Sequence, residues 1–234
     1  MNKFVKGLLV LGSASLLAGC NTAHLQHSLK EVHKNIDTMI QNGVEMDIEV
    51  ANLGSVEGVD EDFNGQIHVG ALVDVFWAHY KENEVEEGMA FKVVEGGYNE
   101  YTYNAETDEY DFKDFLEESE QSNYVKEMLY FALGYANTIQ GLLTDAGTTQ
   151  VAGRDCHVYG FAFNNVLNFF GSEADLEICV DDETGITLKA AHDVYMTAAE
   201  NTEFNFEVKT LVLEGVVAPT LNEPAEAPVE EVDA

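Results

Sequence analysis

Three cysteines carry the chemistry that is easiest to predict from this sequence: Cys20, Cys156 and Cys179. A thiol can be acylated or oxidised to a disulfide, and the surrounding residues decide which. Cys20 is preceded by Lys3, Lys6 and a short apolar stretch that ends in small residues. This pattern is typical of a secretory signal, and the stretch is too short for a stable membrane span. We therefore expect residues 1–19 to be a signal peptide and the remaining chain to be extracytoplasmic.

The residues directly before Cys20 make a more specific prediction. The run Leu17-Ala18-Gly19-Cys20 closely resembles the lipobox of bacterial lipoproteins. That resemblance implies that the Cys20 thiol receives a diacylglycerol and that the signal is cut before it. Two or three acyl chains would supply the multiple anchors that stable attachment to a bacterial membrane requires. The alternative is an ordinary cleaved signal followed by an incidental cysteine.

Cys156 and Cys179 are predicted to form a disulfide, since an extracytoplasmic compartment permits one. Each lies in a predicted strand, at the parity opposite to the bulky apolar residues of that strand. Both side chains should therefore point to the same side of a sheet, where neighbouring strands bring β-carbons within reach of a bridge. The alternative is a pair of free thiols that an anaerobic habitat keeps reduced.

The charge balance is strongly acidic and limits the choice of partners. The chain has 11 basic and 43 acidic residues; removal of residues 1–19, which contain two lysines, leaves 9 against 43, a formal charge of −34. Such a field repels nucleic acids and anionic lipid head groups. With 46% apolar residues the chain can still build a real core. A salt-tolerant or wall-exposed surface explains the acidity better than a dedicated cationic ligand.

Proline and acid residues mark the end of the folded part. All three prolines lie in the last sixteen residues, among several glutamates. We therefore predict a disordered acidic tail over residues 218–234 and a single domain over residues 20–217.

Hydrophobic periodicity predicts an α+β domain. Apolar residues at helical spacing indicate a first helix over 23–42, which Asn42-Gly43 should end. A second, largely buried helix is predicted over 124–143, and an exposed hairpin end leading into it over 106–120. Period-two alternation predicts strands at about 44–53, 67–77, 89–93, 98–103, 149–163, 174–180, 185–195 and 203–217.

Motifs for catalysis and for metals are absent from the sequence. There is no nucleophile elbow, no phosphate-binding glycine loop and no two-histidine zinc helix, so we expect neither an enzyme nor a cofactor. Residues 60–65 resemble the start of a calcium loop, but Ala71 occupies the twelfth position, where a glutamate is required. An acidic turn is the better interpretation, and no metal site is predicted. His24 and His27 have no identifiable third ligand.

Two segments carry a resemblance to a known fold family, the LolA-like bacterial envelope lipoproteins and lipoprotein carriers. They are Val151-Ala152-Gly153-Arg154-Asp155-Cys156-His157-Val158-Tyr159 and the hairpin from Cys179 to Lys189, in which Thr184-Gly185 forms the turn. Residues 76–81 and 101–104 fit earlier strands of the family, so the resemblance spans about residues 24–217. It implies an incomplete antiparallel β-barrel (a half-barrel) whose concave apolar side is closed by helices and holds acyl chains.

The leading hypothesis is therefore a membrane-anchored lipoprotein that binds an apolar or lipid-like ligand. The alternative is a surface interaction or sensor module in which the same elements form a packed core without a ligand cavity. Specific ligand-binding residues are not identified by the sequence. If helices close the half-barrel, Phe131 and Leu133 should line it together with Ile67, Val69, Val73, Met89, Phe91, Tyr101 and Phe161.

Overall fold

A computed structural model describes residues 25–53, 63–117, 129–130, 133–161, 173–195 and 202–224. The first element is helix α1, Leu29–Asn42, which begins at a capping box. The Ser28 side chain accepts a hydrogen bond from the Glu31 backbone, and the Glu31 carboxylate accepts one from the Ser28 backbone at 2.8 Å. The helix ends before Gly43, as predicted from Asn42-Gly43. Leu129, Tyr130 and Leu133 are also helical. After them a short helix, α2, spans Tyr135–Thr138 and is followed by a 3₁₀ turn at Gln140–Leu142.

Twelve strands make up most of the described chain. They are β1 Val44–Leu53, β2 Phe63–Ala71, β3 Val75–Glu82, β4 Val85–Val94, β5 Gly97–Asn104, β6 Glu109–Glu117, β7 Leu143–Val151, β8 Arg154–Phe161, β9 Glu173–Asp181, β10 Thr187–Tyr195, β11 Thr202–Val212 and β12 Leu221–Asn222.

All twelve strands belong to one sheet in the order β12-β6-β5-β4-β3-β2-β1-β11-β10-β9-β8-β7. Every neighbouring pair is antiparallel except β12 with β6. Three strands separate β7 from β11, yet Cα atoms of the two strands come within 8 Å, so this end of the sheet is strongly coiled. Edge strand β7 also contains a bulge between Asp145 and Gly147. The sheet stays open along its two edges, in agreement with an incomplete barrel.

The two faces of the sheet are distinguished by the position of the helices. We call the face that carries Val44, Met46, Ile48 and Val50 of β1 the helix-side face, because apolar residues of α1 pack in the same cluster as this strand. Around β1 and β7–β11 most apolar residues of this face are buried, in clusters with residues of α1 and α2. Its buried residues include Leu143, Tyr159, Leu176, Ile178, Ala190 and Val208.

On strands β3–β6 the buried core lies on the opposite side, the back face. Trp77 is 3% exposed and Tyr101 is fully buried, in a cluster with Val75, Ala90 and Tyr110. Residues 213–224, which we call the C-terminal strap, contribute Val216, Ala218 and Leu221 to this cluster. Aromatic rings fill the layer, and the Tyr101 and Phe112 rings meet edge to face at 5.9 Å.

The strap includes the start of the predicted acidic tail. Leu221 and Asn222 pair with β6, and the Lys92 ammonium forms an ion pair with Glu223. The Tyr101 hydroxyl donates to the same carboxylate at 3.0 Å. Residues 218–224 are therefore placed on the sheet, in contrast to the predicted disorder, while residues 225–234 lie outside the described ranges.

Several predicted elements differ from the observed ones. The alternating run over 67–77 forms two strands, because a turn at residues 72–74 separates β2 from β3. As a result, Trp77 lies on the back face. Trp77 lies over Gly70, where a β-carbon would approach its ring to 1.9 Å. The predicted exposed end at 106–120 contains β6. The strand predicted over 149–163 is the end of β7, a turn at residues 152–153 and β8. The helix predicted over 124–143 ends by Thr138 in its described part.

Candidate functional site

The helix-side face of β2–β4 carries a continuous patch of partly exposed apolar side chains, which we call the apolar strip. Register places Phe76 opposite both Ala71 and Phe91, and Ala78 opposite both Val69 and Met89. Val69 and Phe76 also pack against the α1 cluster. The strip consists of Ile67, Val69, Phe76, Ala78, Met89 and Phe91, all of them half-buried. It therefore continues the buried core of α1 outward along the same face.

A cavity of about 330 Å³ lies at the β3–β5 end of this strip. Ala78 and Met89 contribute its apolar part, and Thr102 belongs to its polar part. Strand register explains this grouping, since Met89 pairs with both Ala78 and Thr102. The volume falls at the small end of the range of about 300–1,000 Å³ that is usual for ligand pockets.

Ionisable side chains form the polar part of the cavity. The Tyr80 hydroxyl donates to the Glu87 carboxylate at 2.7 Å, and the Lys113 ammonium donates to Glu100 at 2.8 Å. Partial burial, together with the hydrogen bond to Glu87, raises the pKa of Tyr80 to about 12, so its phenol is neutral at physiological pH. The cavity thus combines an apolar floor with neutral and charged hydrogen-bonding groups.

Directly behind the cavity, an aromatic stack covers the back face. The His79 and Tyr103 rings stack at 4.3 Å on either side of Gly88 in the register of β3, β4 and β5. A β-carbon at position 88 would approach that of Tyr103 to 2.9 Å, so glycine lets the stack lie close to the sheet. Burial lowers the pKa of His79, which keeps its imidazole neutral. The stack gives the cavity wall a rigid support.

The predicted cysteine pair lies far along the sheet, in β8 and β9. The structure contains the Cys156–Cys179 disulfide, with a Cα–Cα distance of 5.6 Å and both residues fully buried. Both side chains point to the same face, as their parity predicted. The bridge is diagonal, because Cys156 pairs with Asp181 and Cys179 with Val158.

Next to the disulfide, a buried ion pair holds the β9–β10 hairpin. Arg154 donates to the two Asp181 oxygens at 2.7 and 2.9 Å, and Asp181 is 1% exposed. Burial raises the pKa of Asp181, but hydrogen bonds from Arg154 and Thr184 outweigh this effect and lower it below its usual value. Gly185 lies in the expected turn and adopts a positive φ, +74°. These residues correspond to the family-like motif and are structural.

The β9–β10 hairpin also contacts α1 and the residues just before it. The Asn35 amide donates to the Thr184 carbonyl at 2.9 Å, and a ring nitrogen of His27 lies 3.0 Å from the Asp182 carbonyl. The Asn137 amide of α2 donates to the His27 carbonyl at 2.9 Å. The hairpin of the family-like motif therefore holds α1 directly, and it holds α2 through His27.

The sequence identified only part of the strip and cavity. Ile67, Val69, Met89 and Phe91 are where they were expected, whereas Val73 is 66% exposed in a turn and Tyr101 lies on the back face. Leu133 is 3% exposed within the α1 cluster and forms part of the packed core. Cys20, Phe131 and the Phe161 side chain lie outside the described residues, as do residues 60–62 of the acidic turn.

The sequence analysis did not identify the polar residues that line the cavity. Tyr80, Glu87, Glu100 and Lys113 come from four different strands, and no local spacing in the sequence connects them. The hairpin register of β3–β6 would have connected them, and that register depends on placing the turn at residues 72–74 correctly.

In the described part of the chain, no group of three or more His, Cys, Asp or Glu side chains is placed to hold a metal ion. Among the same residues, no helix is long and apolar enough to cross a bilayer.

Comparison with known proteins gives matches only among solved structures. No family model matches the chain, and no curated protein matches it. The complex of Pseudomonas aeruginosa MucA/MucB is 12% identical, with a TM-score of 0.38, over 80% of this chain and 59% of that one. An outer membrane lipoprotein-sorting protein domain from Vibrio parahaemolyticus is 8% identical, with a TM-score of 0.31, over 83% and 95%. A DUF1329 family protein from Desulfovibrio piger is 10% identical, with a TM-score of 0.33, over 81% and 93%.

These matches concern the fold alone. The chain spans about three fifths of the length of the MucB structures, 59% in the complex and 61% in MucB itself. The matched structures include a lipoprotein-sorting domain, the kind of domain that the sequence resembles. At such identities and TM-scores they carry no conclusion about activity, ligand or partner.

Proposed function

We propose that this chain is a membrane-anchored extracytoplasmic lipoprotein that binds an apolar or lipid-like ligand on the helix-side face, and that it is a binding protein rather than an enzyme. The observation that carries the proposal is the apolar strip with its adjoining cavity of about 330 Å³. A concave site with an apolar floor and a few convergent polar groups is the usual form of a small-molecule site.

The burial pattern supports this proposal. On β1 and β7–β11 most apolar helix-side residues are buried; Ile178 and Val208, for example, are both fully covered. On β2–β4 the same face stays half-exposed, although Phe76 and Phe91 pair side by side. Burying apolar area contributes roughly 25 cal/mol per Å², so a ligand that covers the strip gains free energy that the described chain leaves unused.

Helix α1 forms one boundary of the proposed site. Its buried residues, Val32, Ile36, Met39 and Ile40, share a cluster with Val69 and Phe76 of the strip. We propose that α1 and α2 close the coiled side of the half-barrel and leave the β2–β4 side for the ligand.

Binding of an uncharged apolar probe tests the ligand site. The chain from residue 21 onward should bind N-phenyl-1-naphthylamine saturably, with an increase in its fluorescence. Met89→Asp should abolish the increase because it places a charge on the apolar floor, whereas Val73→Asp, at a turn residue that is 66% exposed, should not. Circular dichroism should show both variants folded. Absence of saturable binding by the unmodified chain would refute the ligand site.

Fractionation tests the anchor. Cys20→Ala should move the protein from the membrane to the soluble or unprocessed fraction, because it removes the residue that carries the acyl chains. Asn21→Ala should leave the protein in the membrane. Normal signal cleavage with unchanged membrane association of Cys20→Ala would contradict lipidation at this residue.

A surface interaction or sensor module is the second candidate. It is favoured by the modest size of the cavity and by the dense packing of α1, where Val32 is fully buried and Ile36 is 1% exposed. In that case the strip would be a packed surface without a ligand, and the probe experiment would show no saturable binding.

A further inference from the structure

We propose that the cavity selects amphiphiles with a cationic head group and a single alkyl chain. The inference rests on the proposed function, since it concerns the same site, and it adds the chemical class of the ligand. The chain would lie on Ala78 and Met89, and the head group would lie among the carboxylates of the cavity.

The local charge of the cavity is negative. Its lining has two carboxylates on the helix-side face, Glu87 and Glu100, against the single ammonium group of Lys113. The third acid of the lining, Glu86, alternates with Glu87 and lies on the back face. Glu100 forms its ion pair with Lys113 through one oxygen. The Glu86 carboxylate is similarly paired with Lys81. Among the described residues, the hydrogen-bond donor to Glu87 is the neutral Tyr80 hydroxyl, and this bond does not compensate the charge of Glu87.

Tyr80 adds a second feature that favours a cation. Its ring belongs to the cavity lining, and its hydroxyl is fixed by Glu87. An aromatic ring next to a carboxylate is a common arrangement for binding ammonium groups, because the ring face and the anion both attract positive charge. The hydrogen bond to Glu87 orients the Tyr80 side chain and leaves the negative charge of Glu87 in place.

The charge of the whole chain acts in the same direction. At −32 the protein repels anionic head groups such as carboxylates and phosphates, and it concentrates cations near its surface. The volume of about 330 Å³ in turn favours one alkyl chain over two, because it lies at the small end of the range for ligand pockets.

The test compares three amphiphiles that share a twelve-carbon chain, each below its micelle concentration. Dodecyltrimethylammonium, dodecyl maltoside and dodecyl sulfate are titrated into the full-length protein by displacement of N-phenyl-1-naphthylamine. We expect the cation to bind about tenfold more tightly than the anion, with the neutral compound between them, and added salt should reduce the difference.

Variants assign the preference to the cavity. Glu87→Gln should weaken binding of the cation about threefold and Lys113→Gln should strengthen it, because they change the local charge in opposite directions. Glu214→Gln and Lys189→Gln change the net charge equally but lie outside the lining, and they should have no effect.

The outcomes separate this inference from the proposed function. Equal affinity for the three compounds, with Met89→Asp still abolishing binding, would overturn the cation preference and leave the apolar site intact. Preference for the anion would also overturn it. Cation binding that changes equally in the cavity and control variants would show a general charge effect and likewise overturn it. Failure of all three compounds and of the probe to bind would refute the proposed function itself.

Discussion

In strands β8–β11 most of the buried apolar side chains point to the helix-side face, whereas in β3–β6 they point to the back face, toward the C-terminal strap. Ile178 and Val208 represent the first region, and Trp77 and Tyr101 the second. One sheet therefore has two cores on opposite faces. The difference shows that the cover, rather than the strand pattern, decides which face becomes core: helices supply it in one region and the strap in the other.

The apolar strip is exposed because the core changes from the helix-side face to the back face along the sheet. Strands β3 and β4 obtain their stability from the back face, so their helix-side residues need no cover from the described chain. In strands β8–β11, a disulfide and a buried ion pair stabilise the structure together with the packing of the helices. We therefore expect substitutions in the two regions to affect stability and local structure differently.

Loss of the Arg154 side chain should have the largest effect. Arg154→Met leaves the Asp181 carboxylate buried without its cation and should lower the free energy of unfolding by about 3–5 kcal/mol. Lys209→Met removes an exposed ion pair and should cost less than about 1 kcal/mol. Denaturation with urea measures both. Equal effects of the two substitutions would contradict the role of the buried pair.

The same ion pair predicts a pH dependence. The folded protein lowers the pKa of Asp181, so the pair contributes stability above the unfolded pKa of about 3.8, and this contribution is lost as the pH falls through the folded value. In Arg154→Met the buried carboxylate lacks its cation, and protonation should relieve the cost. The stability difference between the two proteins should therefore shrink as the pH is lowered from 7 toward 4. A constant difference over this range would exclude the linkage.

Removal of the disulfide should have the next largest effect. The bridge joins residues 23 apart, and the chain-entropy model gives about 3 kcal/mol for a loop of this order. Cys156→Ala with Cys179→Ala should lower the stability by this amount and leave the environment of Trp77 unchanged. Mass mapping without reductant should find the bridge in the natural chain; two alkylatable thiols there would disprove it.

Disruption of the strap should affect mainly the second region. Leu221→Asp places a charge in the back-face cluster and should cost about 2 kcal/mol, with a red shift in the emission of Trp77, the sole tryptophan. Val217→Asp is the matched control in the same segment, since Val217 is 78% exposed. A red shift in both variants, or in neither, would show that the strap does not protect Trp77.

The smallest effect is expected at the start of α1. Ser28→Ala removes the capping box and should lower the stability by about 1 kcal/mol. Thr38→Ala, on the exposed part of the same helix, removes only a hydrogen bond to the Lys34 carbonyl and should change it less. Equal losses in urea denaturation would mean that the cap contributes nothing specific.

The sequence predicted the parts of the fold whose signals are local. Helical spacing and Asn42-Gly43 gave the end of α1, and the parity of Cys156 and Cys179 gave their common face. The alternation from Ile67 to Trp77 misled because the turn at 72–74 interrupts it without proline or glycine. Tyr101 was assigned to the wrong face for the same reason, because it pairs with Ala90, which pairs with Trp77.

The cavity depends on information that is not local. Its charged residues meet only through the register of four strands, and acids are so common in this chain that no pair stands out. The strap was likewise hidden, because proline and acid content near the end of the chain resembles a disordered segment. Its anchoring contacts come from Lys92 and Tyr101, more than a hundred residues earlier.

The two edges of the sheet have a consequence for behaviour at high concentration. A long flat edge offers unpaired backbone groups on which strands of other molecules can grow into aggregates. Here β12 covers part of one edge by pairing with β6, and β6 itself carries the acids Asp111, Asp114 and Glu117. At the other edge the bulge at Asp145 and Gly147 interrupts the regular pattern of β7. Molecules at high concentration would thus resist edge-to-edge polymerisation, even though strands make up most of the described chain.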